Sequence, residues 1–156
     1  MIKGNKIKPF LWFEHQAEDA AKFYTSTFKN SKIGKVARYP EGSPGTAGSV
    51  MTVAFQIEGQ DFLALNGGPH FKFTEAVSFM IECETQDEID YYWERLLEGG
   101  KADQCGWLKD RFGLSWQVVP ANIDRIFSGK DSAKAQRAMQ AMLKMIKLNI
   151  EELENA

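Results

Sequence analysis

Hydrophobic and polar residues in the first half of the chain recur with two different periods. The short aromatic segment Ile7 to Phe13 predicts a strand, in which Pro9 favours an edge position or a strand start. From Ala17 the apolar residues recur every three to four positions, which predicts an amphipathic helix. Alternation then predicts three more strands, with a hairpin joining the last two: residues 32–39, 50–57 and 61–66.

The same order of elements begins again after Gly67-Gly68-Pro69. Residues 76–83 predict a strand, and the Thr85-x-x-Glu88 spacing is a capping box that opens a helix ending at Gly99-Gly100. Two more strands are predicted, at residues 105–108 and 114–119. The opening strands of the two halves lie roughly seventy residues apart, which indicates a structural duplication.

The C-terminal part of the chain has a helical pattern. Asp131 to Leu148 contains no Gly or Pro and is rich in Ala, Lys, Gln and Met, which predicts a long helix. Met139, Met142 and Met145 lie about one turn apart, typical of a stripe that packs on a sheet or on a second subunit. We therefore expect one domain over residues 1–156, with module one at 6–67, module two at 76–120 and C-terminal helices at 121–156.

Composition narrows the class of protein. The 156 residues are 44% hydrophobic and 26% charged, with a formal charge of −2, which is ordinary globular composition without a basic face for nucleic acid or anionic membrane. The cysteines Cys83 and Cys105 are too few for a disulfide framework, and no His cluster accompanies them. The N-terminus has no apolar run long enough for a signal peptide or a membrane span, so we expect a cytoplasmic protein.

Several side chains are candidates for a ligand cavity. Trp12, Trp107 and Trp116 fall on predicted strands, as do Phe10, Phe55 and Phe79; these rings either line a pocket or pack in a core. Gln117 and Trp116 point to opposite faces of one strand, so at most one of them lines a cavity. Cys105 is either a thiol at the cavity mouth or a small buried residue. The Gly- and Pro-rich segment 40–48 predicts a flexible flap that favours a gated cavity.

Three stretches together support a resemblance to a known family: Leu65-Asn-Gly-Gly-Pro69, the segment from Cys105 to Pro120, and Ala141-Met-Leu-Lys-Met145. With the doubled order of elements, they resemble the PhnB-like branch of the vicinal oxygen chelate superfamily, whose members are labelled as similar to 3-demethylubiquinone 3-methyltransferase. The resemblance implies an α+β fold of paired βαβββ modules of the glyoxalase-like type, here with a C-terminal helical extension. It also implies a homodimer in which each module curls a sheet around one cavity. The superfamily includes glyoxalases, dioxygenases and bleomycin-resistance proteins, so the fold alone does not decide the chemistry.

Enzymes of that superfamily hold a divalent metal with side chains from the first and last strand of each module. The resemblance places those positions at Pro9, near Asn66, near Ser78 and at Gln117, and only Gln117 is a plausible ligand. Neither His15 nor His70 lies inside a predicted strand. We therefore expect no cofactor, with a divalent metal on Gln117 and Asn66 as the alternative.

Three functions stay open. The first is a protein that binds a small apolar or aromatic molecule in a metal-free cavity, lined by Trp12, Asn66, Ser78, Cys105, Trp107 and Gln117. The second is a metal-dependent glyoxalase-like isomerase or dioxygenase acting on vicinal oxygens, in which the metal would polarise a carbonyl. The third is a dimerising interaction module. The absence of a methyl-donor glycine motif gives the methyltransferase label no support, and the sequence does not decide whether the protein is an enzyme.

Overall fold

The structure, a computed structural model, describes residues 4–156. The chain divides into two compact units, residues 1–72 and 73–156, and their boundary falls between the two predicted modules. The first three residues of the expected 1–156 domain lie outside the described residues. None of the described helices is both long and apolar enough to cross a bilayer.

The first unit is a four-stranded sheet with one helix packed on it. Its elements are β1 Phe10–Phe13, α1 Ala17–Thr27, β2 Lys32–Arg38, β3 Val50–Ile57 and β4 Gln60–Asn66. The strand order is β1-β4-β3-β2, with β1 and β4 parallel and the other neighbours antiparallel. Alternation along β3 buries Val53, Phe55 and Ile57 on the face that α1 covers.

The second unit repeats this arrangement and adds three helices. Its elements are β5 Ser78–Cys83, α2 Gln86–Leu97, β6 Lys101–Ala102, β7 Trp107–Lys109, β8 Ser115–Pro120, α3 Ile123–Ser128, α4 Ser132–Leu143 and α5 Ile150–Glu154. The strand order is β5-β8-β7-β6, again with the first and last strands of the module parallel. The predicted duplication of strand and helix order is therefore confirmed.

Four strands begin later than the sequence predicts. Those predicted from residues 76 and 114 begin at Ser78 and Ser115, and the other two begin late for reasons that the backbone shows. The first strand starts at Phe10 and not at Ile7, because Pro9 has no N–H to extend the pairing, although its carbonyl accepts from Leu63 N at 3.0 Å. The strand predicted from Cys105 starts at Trp107, because Cys105 and Gly106 have φ values of 60° and 82° and form a turn.

The predicted helix 131–148 is also corrected. Helix α4 ends at Leu143, and residues 144–149 run beside the 105–106 turn, where Cys105 N donates to Met145 O at 2.9 Å and Gly106 N donates to Ile146 O at 2.8 Å. These carbonyls therefore bind another part of the backbone and do not continue a helical ladder. A Cβ on Gly106 would lie 2.8 Å from the Val118 carbonyl oxygen, so the turn requires glycine.

The C-terminal segment is part of the second unit's core. Val119, Leu148 and Leu153 form a buried cluster, against which Met142 and Met145 pack. The expectation of a packed methionine stripe is confirmed for these two residues, whereas Met139 is 39% exposed.

Candidate functional site

Three of the predicted cavity residues meet on the face of the second sheet opposite α2. Gln117 pairs directly with Trp107 of β7 and with Met80 of β5, so these side chains share one face of the sheet. Gln117 Nε2 donates to Ser78 Oγ at 3.0 Å. That amide–hydroxyl pair lies beside an indole and a methionine that is 52% exposed. We call this surface, made of Ser78, Met80, Trp107 and Gln117, the Gln117 face.

Trp116 points to the opposite side of the sheet from Gln117, as predicted for two adjacent residues of one strand. It is buried, its ring lies 5.6 Å from that of Phe79, and its indole N–H donates to Asp110 Oδ2 at 2.9 Å. Phe55 is likewise a core residue, stacked on Phe62 at 5.2 Å. Trp116 and Phe55 therefore belong to the core and not to a pocket wall.

Ser115 is a buried polar residue next to the Gln117 face that sequence reasoning missed. It lies two positions before Gln117 on the same strand and opposite Ser78, and it is 1% exposed. Its hydroxyl is buried and makes no hydrogen bond within residues 4–156. Such a group is destabilising until a polar atom pairs with it, so the polar strip Ser78–Ser115–Gln117 is not fully satisfied by the protein. The period-two alternation around Gln117 is the signal that could have identified it.

Lys109 borders this strip at its outer end. Its Nζ lies 2.8 Å from Glu75 Oε2, and Lys109 pairs with Ser115 across the strands. The hydrogen bond from Lys109 lowers the pKa of Glu75 below its usual value. Both groups are substantially exposed, so the pair orders the border of the face more than it stabilises the fold.

In the first unit, Trp12 lies on the sheet face opposite α1. Its indole N–H donates to Gly68 O at 2.9 Å, and its ring meets that of Phe71 edge-on at 4.8 Å. A Cβ on Gly67 would lie 2.4 Å from the Trp12 ring, so the backbone at Gly67 packs against this indole more closely than any other residue would allow. Phe10, on the same face two residues earlier, is 54% exposed. Phe10 and Trp12 therefore lie on one face of the sheet, where the 67–71 segment holds the Trp12 ring in place.

Asn66 has a structural role that its prediction as a cavity residue did not include. Its Oδ1 accepts from Ala17 N at 2.8 Å, and its Nδ2 donates to Val50 O at 3.1 Å. The local N-cap residue, Gln16, makes no side-chain cap, so Asn66 caps α1 from the end of β4. Tyr39 OH donates to the Asn66 carbonyl. The side chain is therefore engaged at both polar atoms.

The Gly- and Pro-rich flap borders a cleft of about 680 Å³ within the first unit. Gly45 of the flap lies against the Tyr39 ring, where a Cβ would come within 2.5 Å. Both histidines line the cleft, together with Asn66 and three carboxylates: His15, His70, Glu14, Glu18 and Asp19. A flap beside a cleft agrees with the predicted position of the flap, while its opening and closing stay a prediction.

The two cysteines differ in environment. Cys83 is buried, and desolvation, followed by the charge of Glu88, raises the pKa of its thiol to about 12. It is therefore a protonated core residue at neutral pH. Cys105 is half-buried in the turn before β7 and has φ +60°. Cys105 lies in this turn and not in β7, so it is not one of the strand residues that make up the Gln117 face.

The donor atoms do not fit the divalent metal that the superfamily implies. Within residues 4–156, no three His, Cys, Asp or Glu side chains are grouped so that they could hold a metal ion. Asn66 uses its amide to cap α1, and Gln117 offers one carbonyl oxygen beside a serine hydroxyl. Such neutral oxygens are weak ligands for a transition metal without imidazole, carboxylate or thiolate partners.

The chain matches one protein family and several solved structures. Residues 5–119 match the family model of 3-demethylubiquinone-9 3-methyltransferase. The PhnB protein from Bacillus cereus is 38% identical, with a TM-score of 0.67 over 74% of this chain and 99% of that one. Protein PA1353 from Pseudomonas aeruginosa is 19% identical, with a TM-score of 0.61 over 75% of this chain and 98% of that one.

More distant structures extend the likeness in fold alone. A mutant of the fosfomycin resistance protein FosX from Listeria monocytogenes is 16% identical, with a TM-score of 0.51 over 78% of this chain and 94% of that one. No curated protein matches the chain. The fold is that of the vicinal oxygen chelate superfamily, and the chain belongs to the PhnB-like family described as 3-demethylubiquinone-9 3-methyltransferase.

Proposed function

We propose that this chain is a homodimeric small-molecule-binding protein that holds an apolar or aromatic molecule without a metal ion. The Gln117 face carries this proposal, because it combines an indole, an exposed methionine and a short polar strip on one side of a sheet. Ligand sites are mostly apolar surfaces with a few fixed polar groups that orient the ligand. The carbonyl oxygen of Gln117, whose amide nitrogen is already bonded to Ser78, would supply that orientation.

A ligand with one hydroxyl group tests the proposal directly. We expect 1-naphthol to bind, with its ring against Trp107 and its O–H donating to Gln117 Oε1. Gln117→Ala should raise its dissociation constant about fivefold, the effect of losing one hydrogen bond of about 1 kcal/mol. The same substitution should leave binding of 1-methylnaphthalene unchanged, whereas Trp107→Ala should weaken both ligands.

The matched control is Gln140→Ala, which changes an exposed glutamine on α4. Titration calorimetry gives the dissociation constants, and circular dichroism verifies that the variants are folded. If Gln117→Ala binds 1-naphthol as tightly as the unchanged protein does, Gln117 does not contact the ligand. If neither ligand binds below millimolar concentration, the aromatic-ligand proposal is wrong.

The metal-free part of the proposal needs its own experiment. Calorimetric titration of the tag-free protein with Ni²⁺, Zn²⁺, Mn²⁺ and Fe²⁺ should show no stoichiometric binding at micromolar affinity, since the donor set is weak. Stoichiometric micromolar binding would instead favour the metal-dependent isomerase or dioxygenase. Assays on glyoxal adducts and catechols would then follow.

Large apolar side chains that remain exposed support the homodimer. Phe71 and Val77 are each 65% exposed, and Leu143 and Ile146 are 57% and 56% exposed. A second copy would cover surfaces of this kind. Sedimentation equilibrium should give a mass of twice 17.6 kDa, and a monomer mass at micromolar concentration would contradict the dimer. A cytoplasmic location stays a prediction.

A further inference from the structure

The C-terminal helices enclose a second cavity that lies outside the residues matched by the family. Helices α3, α4 and α5 surround a cleft of about 550 Å³, all of it within residues 122–155. The family match ends at residue 119. The volume falls within the range of roughly 300–1,000 Å³ that small-molecule sites occupy.

One wall of this cleft is apolar. Ile126 is half-buried and packs against the buried cluster that contains Leu153, while Leu153 and Ala138 are 0% and 1% exposed and support the wall from behind. Ala135 adds a small side chain one helical turn before Ala138. The wall offers hydrocarbon contact, which favours a ligand with an apolar part.

The rim of the cleft is cationic. Arg125, Lys130 and Lys134 line it, all are exposed, and none forms an ion pair with another described residue. Two carboxylates, Asp131 and Glu154, also line the rim, so its three positive and two negative side chains leave one net positive charge. Asp131 accepts from Lys134 N at 3.1 Å as the N-cap of α4, and Glu154 accepts from Asn122 Nδ2 at 3.0 Å.

We propose that this cleft binds an amphiphilic anion, with its carboxylate or phosphate head at Arg125, Lys130 and Lys134 and its hydrocarbon part along Ile126 and Ala135. Three cationic side chains without ion-pair partners favour a negative head over a neutral or positive one. The apolar wall discriminates against free inorganic anions, which would leave it uncovered. This site is separate from the Gln117 face and does not depend on the function proposed for it.

Chain-matched amphiphiles test the head and the tail separately. Titration calorimetry should show that decanoate or decyl phosphate binds with one equivalent per chain. Decanol, decyltrimethylammonium and inorganic phosphate should bind at least tenfold more weakly. Whichever of the two anions binds more tightly identifies the head group. Equal binding of decanoate and decanol would overturn the proposal, as would inorganic phosphate binding as tightly as decyl phosphate.

Two variants locate the binding in this cleft. The double variant Lys130→Gln/Lys134→Gln should raise the dissociation constant of the tighter anion about tenfold, because two exposed charge contacts are lost. Lys144→Gln, an exposed lysine at the other end of α4, is the matched control and should leave binding unchanged. Ala135→Trp should fill the apolar wall and abolish binding while the protein remains folded by circular dichroism. Unchanged anion binding in both cleft variants would show that the anion binds elsewhere.

Discussion

The two modules have the same strand order but begin their helices in different ways. In the first module, α1 is capped by Asn66, which lies 49 residues beyond the helix start and at the end of β4. In the second module, α2 is capped by the adjacent Thr85, whose hydroxyl accepts from Glu88 N at 3.2 Å. A duplicated topology can therefore be maintained by a long-range contact in one copy and by a local motif in the other.

Their final hairpins differ in the same sense. The β3–β4 turn is short, with Glu58 and Gly59 at φ 49° and 78°, a conformation suited to the twist of a hairpin. The β7–β8 turn is longer and is organised by Asp110, which is 3% exposed. Its carboxyl oxygens accept from Phe112 N, Leu114 N and the Trp116 indole. The second module thus depends on one buried polar residue where the first depends on backbone conformation.

The largest effect should come from removing that residue. Asp110→Ala leaves three N–H donors without their acceptor, two of them in buried residues, and we expect a loss of about 3–4 kcal/mol in unfolding free energy. Urea denaturation followed by tryptophan fluorescence measures it. Asp103→Ala, at an exposed turn, is the control and should cost less than about 1 kcal/mol. A loss of similar size in both variants would mean that Asp110 does not organise the hairpin.

Asn66→Ala should have the next largest effect. It removes the cap of α1 and the hydrogen bond to Val50 O together, so we expect a loss of about 2 kcal/mol. Asn66→Asp keeps an acceptor for Ala17 N but not the donor, and should recover part of the loss. Denaturation at pH 7 gives both values. If the alanine variant is as stable as the unchanged protein, the long-range cap of α1 does not contribute to the stability of the first module.

Thr85→Ala should cost less, about 1 kcal/mol, because a local cap contributes one hydrogen bond at an exposed helix end. Thr85→Ser keeps the hydroxyl and should be close to the unchanged protein in the same denaturation experiment. A loss that exceeds that of Asn66→Ala would reverse the comparison between the two caps.

The smallest effect concerns an ion pair that joins α2 to the C-terminal segment. Asp90 Oδ1 lies 2.8 Å from Lys147 Nζ, and the hydrogen bonds from Lys147 and Gln86 lower the pKa of Asp90. Because the folded-state pKa lies below the unfolded value, this contribution is present above about pH 4 and is lost as the pH falls through the folded-state pKa. Asp90→Asn should therefore cost less than about 1 kcal/mol at pH 7, since both side chains are partly exposed.

The same variant should approach the unchanged protein in stability near pH 2. Stability measured by urea denaturation across this range gives the pH dependence. A difference between the two proteins that grows as the pH falls would contradict the assigned direction of the shift.

Local patterns predicted the regular elements well. The helix from Ala17 and the strand 50–57 coincide with α1 and β3. Both were predictable because helical period and strand alternation depend only on residues that are close in the sequence. The break in the predicted helix 131–148 could not be seen in this way. It arises because the carbonyls of Met145 and Ile146 accept hydrogen bonds from a turn about forty positions earlier in the chain.

The candidate site was predictable only in part. Gln117, Trp107 and Ser78 were selected from strand alternation and family resemblance, and the sheet brings them together. The capping role of Asn66 was missed, and Asp110 was predicted as a turn residue without the three hydrogen bonds that its carboxylate accepts. Both side chains form hydrogen bonds with partners that only the folded structure brings close. Composition and residue spacing do not identify such partners.

The backbone contact between the 105–106 turn and residues 145–146 has a consequence for the order in which the chain acquires its structure. During synthesis the first unit is complete within the first 72 residues, whereas the turn before β7 waits for a segment made about forty residues later. Until that segment arrives, Val119 lacks its Leu148 and Leu153 partners. The nascent second unit is therefore the part of the chain in which a stalled or shortened product would expose apolar surface.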